Sequence, residues 1–218
     1  MLGKIHSIGS ISTTSGNIAR RHYKRRRLSL LTLLLTLSRS GMSAAAAQPS
    51  LRTIGELMRL LAQVAESRSA FTEVKTIAVL TVPLRASGVL YYRRPDYFEK
   101  MTTQPQLERL VVDGDRLTMS TGDEPARVVD LDSQPMIRGL VDAIRGTLAG
   151  ELAVLQRVYR VEMEGDLTGW RLALTPTDSA VGRAVSRIVI EGRQDSLQFI
   201  HTIQANGDES RMTISRAS

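Results

Sequence analysis

The stretch Leu107-Glu108-Arg109-Leu110-Val111-Val112-Asp113-Gly114-Asp115-Arg116-Leu117-Thr118-Met119-Ser120 decides how the chain folds. Two runs of apolar and β-branched residues, 107–112 and 116–120, flank Asp113-Gly114. That dipeptide suits a two-residue hairpin, because the tight turn needs backbone conformations that Gly tolerates. The reading is a pair of antiparallel strands, and the same pattern continues outward on both sides. Upstream, period-two runs fall near 70–80, 87–93 and 97–103. Pro83, Pro95 and Pro105 lie between the runs, where a missing N–H costs no ladder bond. Downstream, strands are expected near 126–131, 157–164, 169–175, 186–191, 197–204 and 209–215, with Asn206-Gly207 marking the last hairpin.

Two segments break the period of two. Thr53 and Glu56 have capping-box spacing, and Ile54, Leu57, Leu60, Leu61 and Val64 then form an apolar stripe to about Glu66. Pro135 suits a first helical turn. Met136, Ile137, Leu140, Val141, Ile144 and Leu148 follow at helical spacing to near Gly150, and a short helical piece continues through Leu152 and Leu155. The fold class is therefore mainly β with α: one large, strongly curved antiparallel sheet covered by two or three helices. Its concave face is either an ordinary packed core or an apolar cavity with the helices as a lid. Periodicity is compatible with both.

Residues 1–47 read as an export address rather than as structure. The basic block Arg20-Arg21-His22-Tyr23-Lys24-Arg25-Arg26-Arg27 precedes a Leu-rich run, 28–37, and then Ala44-Ala45-Ala46-Ala47. This is the order of a cleaved secretory signal, with cleavage expected after Ala47 and Gln48 as the new N-terminus. The Leu-rich run is shorter than the ~20 residues that cross a bilayer. Its apolar character and the Ala-rich exit favour secretion over an organellar transit peptide. Arg20-Arg21 keeps twin-arginine export open beside the general secretory (Sec) route. Residues 48–218 then form a single exported domain, placed in the periplasm.

Removing the leader changes the charge. Residues 1–47 hold eight of the 29 Lys and Arg and no acid, so residues 48–218 carry 21 bases against 22 acids, a net charge of −1. The basicity that would suggest nucleic acid belongs to the leader, and nucleic acid is set aside as a partner. There is no cysteine, and His201 is the sole histidine after residue 47. No disulfide, metal site or cofactor is expected. His201 sits in the strand pattern Phe199-Ile200-His201-Thr202-Ile203, and no Gly-x-Ser-x-Gly elbow exists, so no enzyme is expected. No phosphate-binding Gly-rich loop is present to draw energy from ATP.

Several short motifs, in order, resemble the LolA family of periplasmic outer-membrane lipoprotein carriers, over about residues 57–213. They are Ala70-Phe71-Thr72-Glu73, Arg94-Pro95-Asp96-Tyr97-Phe98, Val112-Asp113-Gly114-Asp115-Arg116-Leu117 and Trp170-Arg171-Leu172-Ala173-Leu174-Thr175-Pro176. The resemblance implies a half-open β-barrel closed by helices around a cavity for acyl chains. It implies that Arg94 bonds to the lid and holds the empty carrier shut, and that Phe98 is a nearby functional aromatic. The cavity candidates are Leu90, Tyr92, Met101, Met136, Leu140, Ile144, Trp170 and Leu172. Family members continue past the last long strand into a C-terminal extension used with an inner-membrane release complex, whereas this sequence ends at Ser218, soon after Ile214.

The expected function is a carrier that moves the acyl chains of lipoproteins, or a related lipid, toward the outer membrane. An inner-membrane donor complex and an outer-membrane acceptor are the implied partners, and a monomer that does not span the membrane is expected. The alternative is a periplasmic structural or regulatory module that holds a protein partner on the same curved sheet.

Overall fold

A computed structural model describes residues 51–216. The export signal expected over 1–47 lies outside the described residues. The chain runs α1 (Leu51–Leu61), β1 (Glu66–Thr76), β2 (Leu84–Arg93), β3 (Tyr97–Gln104), β4 (Glu108–Asp113), β5 (Arg116–Thr121) and β6 (Arg127–Asp130). A 3-10 turn, Leu131–Ser133, leads into α2 (Pro135–Ala149) and α3 (Leu152–Val158). Then come β7 (Tyr159–Asp166), β8 (Gly169–Pro176), α4 (Ser179–Gly182), β9 (Val185–Arg193), β10 (Ser196–Gln204) and β11 (Glu209–Arg216).

All eleven strands join one strongly curved antiparallel sheet in the order β6-β5-β4-β3-β2-β1-β11-β10-β9-β8-β7. It is a meander cut once, between β6 and β7, where the helices intervene. The first strand pairs with the last, Phe71 opposite Ile214, so the two meander halves meet at β1–β11. The sheet does not close, because β6 and β7 are its two edges.

Several boundaries differ from the sequence reading. The first helix begins at Leu51 and ends at Leu61, so Thr53 lies inside its first turn, and Glu66 opens β1 rather than closing the helix. Strand β1 starts earlier than expected because Glu66 to Ser69 pair with Leu90 to Arg93 of β2, although they offer no apolar alternation. The apolar residues 77–80 leave the ladder for a turn, in which the Leu80 amide donates to the Ile77 carbonyl.

The decisive hairpin is shifted by one residue. Asp113 pairs with Arg116 as the last ladder rung, so the turn residues are Gly114 and Asp115. Gly114 takes φ +58°, which glycine adopts without a Cβ clash. The last hairpin has a loop of four residues, 205–208, with Gly207 at φ +88° and the Gln204 amide bonded to the Asp208 carbonyl at 2.8 Å. The helix α4 carried no apolar stripe to announce it. It is one short turn capped by the Asp178 side chain, which accepts from the Ala180 and Val181 amides.

The helices divide the concave face unequally. Over β7–β9 they pack densely: Leu57, Leu61, Leu155, Trp170, Leu172, Leu174 and Ile190 are at most 2% exposed. Over β4–β6, Ile137 and Val141 of α2 pack on Val112, Leu117 and Leu131. Between these two cores, on β1, β2 and β11, Phe71, Leu90, Met212 and Ile214 form a third and thinner cluster. Burying an apolar side chain stabilises by about 1.5–3 kcal/mol, so the two flanking cores anchor the helices and leave the middle lightly filled.

Candidate functional site: a cavity under the helices

The lightly filled middle encloses a cavity of about 470 Å³. Strand alternation selects its lining. On β2, Leu90 and Tyr92 face inward, and across the ladder Tyr92 stands opposite Phe98 of β3. Ile200 of β10 stands opposite Met212 of β11, and Ile214 continues the row. Leu61 at the end of α1 and Val64 in the turn after it, with Ile144 and Leu148 of α2, form the roof.

Of the residues named from the sequence, Leu90, Tyr92, Phe98 and Ile144 line this cavity. Leu140, Trp170 and Leu172 belong instead to the packed core over β7–β9. Trp170 is fixed there by a bond from Nε1 to the Gln194 carbonyl at 2.9 Å. Met136 stands on the first turn of α2, 42% exposed. Met101 is on the other face of the sheet: it pairs with Val89 and Arg109, while its neighbours Lys100 and Thr102 share the inward face with Phe98.

That parity exposes a residue the sequence reading missed. Lys100, not Met101, enters the cavity. It donates to Oε2 of Glu73 at 2.5 Å, and Ser210 donates to Oε1 at 2.6 Å. Burial alone would push the Glu73 carboxyl up, but Lys100, the Ser210 hydroxyl and Lys75 together hold it below its ordinary value. The period of two through Phe98, Lys100 and Thr102 was the available signal.

The roof is tied down by arginines. Arg94 follows the end of β2, exposed to solvent; its Nη1 donates to the carbonyl of Ala62, just past α1. Its own amide donates to the Ala65 carbonyl at 2.9 Å. Arg145 of α2 donates to the Gly114 carbonyl at 2.7 Å and to Asp142 at 2.9 Å. Arg138 reaches Asp115 at 2.6 Å and Asp132 at 2.5 Å. The β4–β5 turn is therefore the seat of α2.

The two helix ends also meet. Gly150 terminates α2 at φ +70°, and a Cβ there would stand 2.1 Å from the Met58 carbonyl of α1. The Tyr92 hydroxyl is buried without a hydrogen-bond partner among the described residues, and burial pushes its pKa up. No group of three or more His, Cys, Asp or Glu that could hold a metal stands together among the described residues. No described helix is long and apolar enough to cross a membrane.

The architecture is a curved, open antiparallel sheet with a cavity roofed by helices. Residues 45–218 match the family described as outer membrane lipoprotein carrier protein LolA-like, and the chain belongs to that family. No curated protein matches the sequence. Among solved structures, it is similar to a LolA superfamily protein of Nitrosomonas europaea, at 11% identity and a TM-score of 0.42, covering 75% of this chain and 91% of that one. It is similar to a DUF1329 family protein of Desulfovibrio piger, at 13% identity and a TM-score of 0.41, covering 74% of this chain and 88% of that one. A third is the MucA/MucB complex of Pseudomonas aeruginosa, at 13% identity and a TM-score of 0.39, covering 75% of this chain and 56% of the chain matched.

Proposed function

We propose that this protein is a periplasmic carrier that shields acyl chains, of lipoproteins or of a related lipid, on their way toward the outer membrane. The observation that carries this reading is the cavity of about 470 Å³ between two packed cores, roofed by the ends of α1 and α2. Exposing acyl chains to water costs about 0.8 kcal/mol per CH₂, so a long chain needs a cover to cross an aqueous space. Pockets that hold single small ligands run to about 300–1,000 Å³, and this cavity falls within that range.

In this reading Arg94 is the latch. Its bonds to Ala62 and Ala65 favour the roofed, empty state, and cargo must open them. Residues 1–47 direct export and are removed, an inner-membrane complex hands cargo on, and an outer-membrane acceptor takes it. Directionality comes from graded affinity along that series. Mass spectrometry of protein recovered from the periplasm tests the reading. Acyl lipid or lipoprotein should be bound in near-stoichiometric amount. A tightly bound polypeptide without acyl chains would favour the module that holds a protein on the same sheet.

A further inference from the structure

The cavity lining mixes apolar residues with Glu66, Arg68 and Asp195, and its floor carries a separate polar cluster. Glu73 of β1 is 5% exposed and faces inward. Lys100 and Ser210 hold its two oxygens, and Nζ of Lys75 stands 3.8 Å from Oε2. Thr202 lines the cavity beside Ser210, its cross-strand partner. Two ammonium groups thus share one carboxylate, and the cluster carries one positive charge in excess.

A cavity for bare hydrocarbon gains nothing from this cluster. Replacing a buried ion pair with apolar residues of like volume is often neutral or stabilising. What the cluster offers is donors. The Lys100 ammonium has three N–H groups, and one is occupied by Glu73. It also rests 4.9 Å from the centre of the Phe71 ring, which steadies a cation without consuming a donor. The Lys75 side chain is 45% exposed, and among the described residues its ion-pair contact is the long one to Glu73.

Tyr92 lines the same cavity on the far side of Leu90 from the lysines, since Leu90 stands opposite Lys100 and Tyr92 opposite Phe98, and its hydroxyl oxygen is itself buried out of reach of the cavity space. The occupant that suits this lining has an apolar chain and hydrogen-bond acceptors.

We propose that the cavity takes an anionic acyl amphiphile, carboxylate- or phosphate-headed, with its head group drawn to Lys100, while Lys75, outside the lining, offsets the charge of the Glu73 that Lys100 shares. This rests on the carrier reading and narrows it: the head group is recognised within the cavity, rather than left outside it with a polypeptide attached.

The test is competition for the cavity against a bound fluorescent apolar probe, using palmitate, hexadecyl phosphate, hexadecanol and hexadecyltrimethylammonium. Their chains are equal, so differences report the head group. The two anions should displace the probe at about tenfold lower concentration than hexadecanol, and the gap should shrink with added salt. The ranking of palmitate against hexadecyl phosphate tells a carboxylate source from a phosphate one. Glu73→Gln should widen the ratio of anion to hexadecanol affinity about threefold, because a second positive charge becomes uncompensated. An ion pair that served only structure would instead weaken every ligand alike. Lys75→Gln, on a half-exposed side chain that the fold can spare, should narrow the preference about threefold and serves as the second test if Glu73→Gln does not fold. Hexadecanol binding as well as the anions would overturn this proposal and leave the carrier reading standing. Failure of all four ligands to displace the probe, or failure of the probe itself to bind, would overturn both.

Discussion

The guanidinium of Arg94, just past β2, donates to the carbonyl of Ala62, one residue beyond the end of α1. Helix ends leave carbonyls without intrahelical partners, so a charged donor placed there holds the helix by a group that needs one. Because Arg94 is exposed, water competes for both partners, and the bond is worth about 1 kcal/mol rather than the larger value of a buried one. Arg94→Leu should therefore keep the fold and tighten apparent affinity for an apolar probe by about fivefold, since less opening is subtracted from binding. Lys should restore the wild-type affinity only in part, because it lacks the planar fork. Equal affinity and equal release rates in wild type and Arg94→Leu would remove the latch.

Gly150→Ala tests the meeting of the two helices. The substitution places a Cβ against the Met58 carbonyl at a residue with φ +70°. Left-handed backbone costs a non-glycine residue about 1–2 kcal/mol, and the clash adds to it. Thermal unfolding should show a loss of about 2–3 kcal/mol. Probe uptake should rise at the same time, because α1 and α2 can no longer close on each other.

Trp170 and Phe98 should separate the packed region from the hollow one. Trp170→Phe removes buried area and the bond to Gln194, so stability should fall by about 1–3 kcal/mol with probe affinity unchanged. Phe98→Ala should do the reverse in kind, changing probe affinity by more than its modest stability loss accounts for. Parallel melting and binding measurements on both variants decide this.

Tyr92→Phe removes a buried hydroxyl that has no partner among the described residues. An unsatisfied buried donor costs about 1–3 kcal/mol, so the ligand-free variant should be more stable than wild type, with a Tm higher by about 2–4 °C. A lower Tm would show that the hydroxyl is already satisfied in the empty protein.

Glu73 gives the stability a defined acid limb. Its folded carboxyl titrates below its ordinary 4.5, so its contribution is complete above that pH and is lost as pH falls through the folded value. Glu73→Gln should be less stable than wild type near neutral pH, and its Tm should drop less on acidification to about pH 3. Parallel melting curves for the two proteins across that range would contradict the assignment.

Local chemistry was enough to find every strand. Period-two runs punctuated by Pro, Gly and Asp located all eleven, because alternation and turn residues act within a few positions of the chain. The apolar stripe of α2 and the short helix after it were legible for the same reason. The motif Arg94-Pro95-Asp96-Tyr97-Phe98 singled out the residue that reaches Ala62. What stayed hidden depended on partners distant in sequence. Residues 66–69 became strand because β2 offered a ladder, and the Gly114 turn was set by the Asp113–Arg116 rung. Trp170 and Leu172 look like cavity residues in a sequence, and only the docking of α1 and α3 onto β7–β9 filled the space in front of them. Glu73, Lys100 and Ser210 are 27 and 137 positions apart from carboxylate to donor, and no local pattern joins them. The sequence determined which segments could form strands and helices and which face of each was apolar. The tertiary structure alone decided which part of the concave face was packed and which left hollow, because that depends on where the helices sit across a sheet whose first and last strands are neighbours.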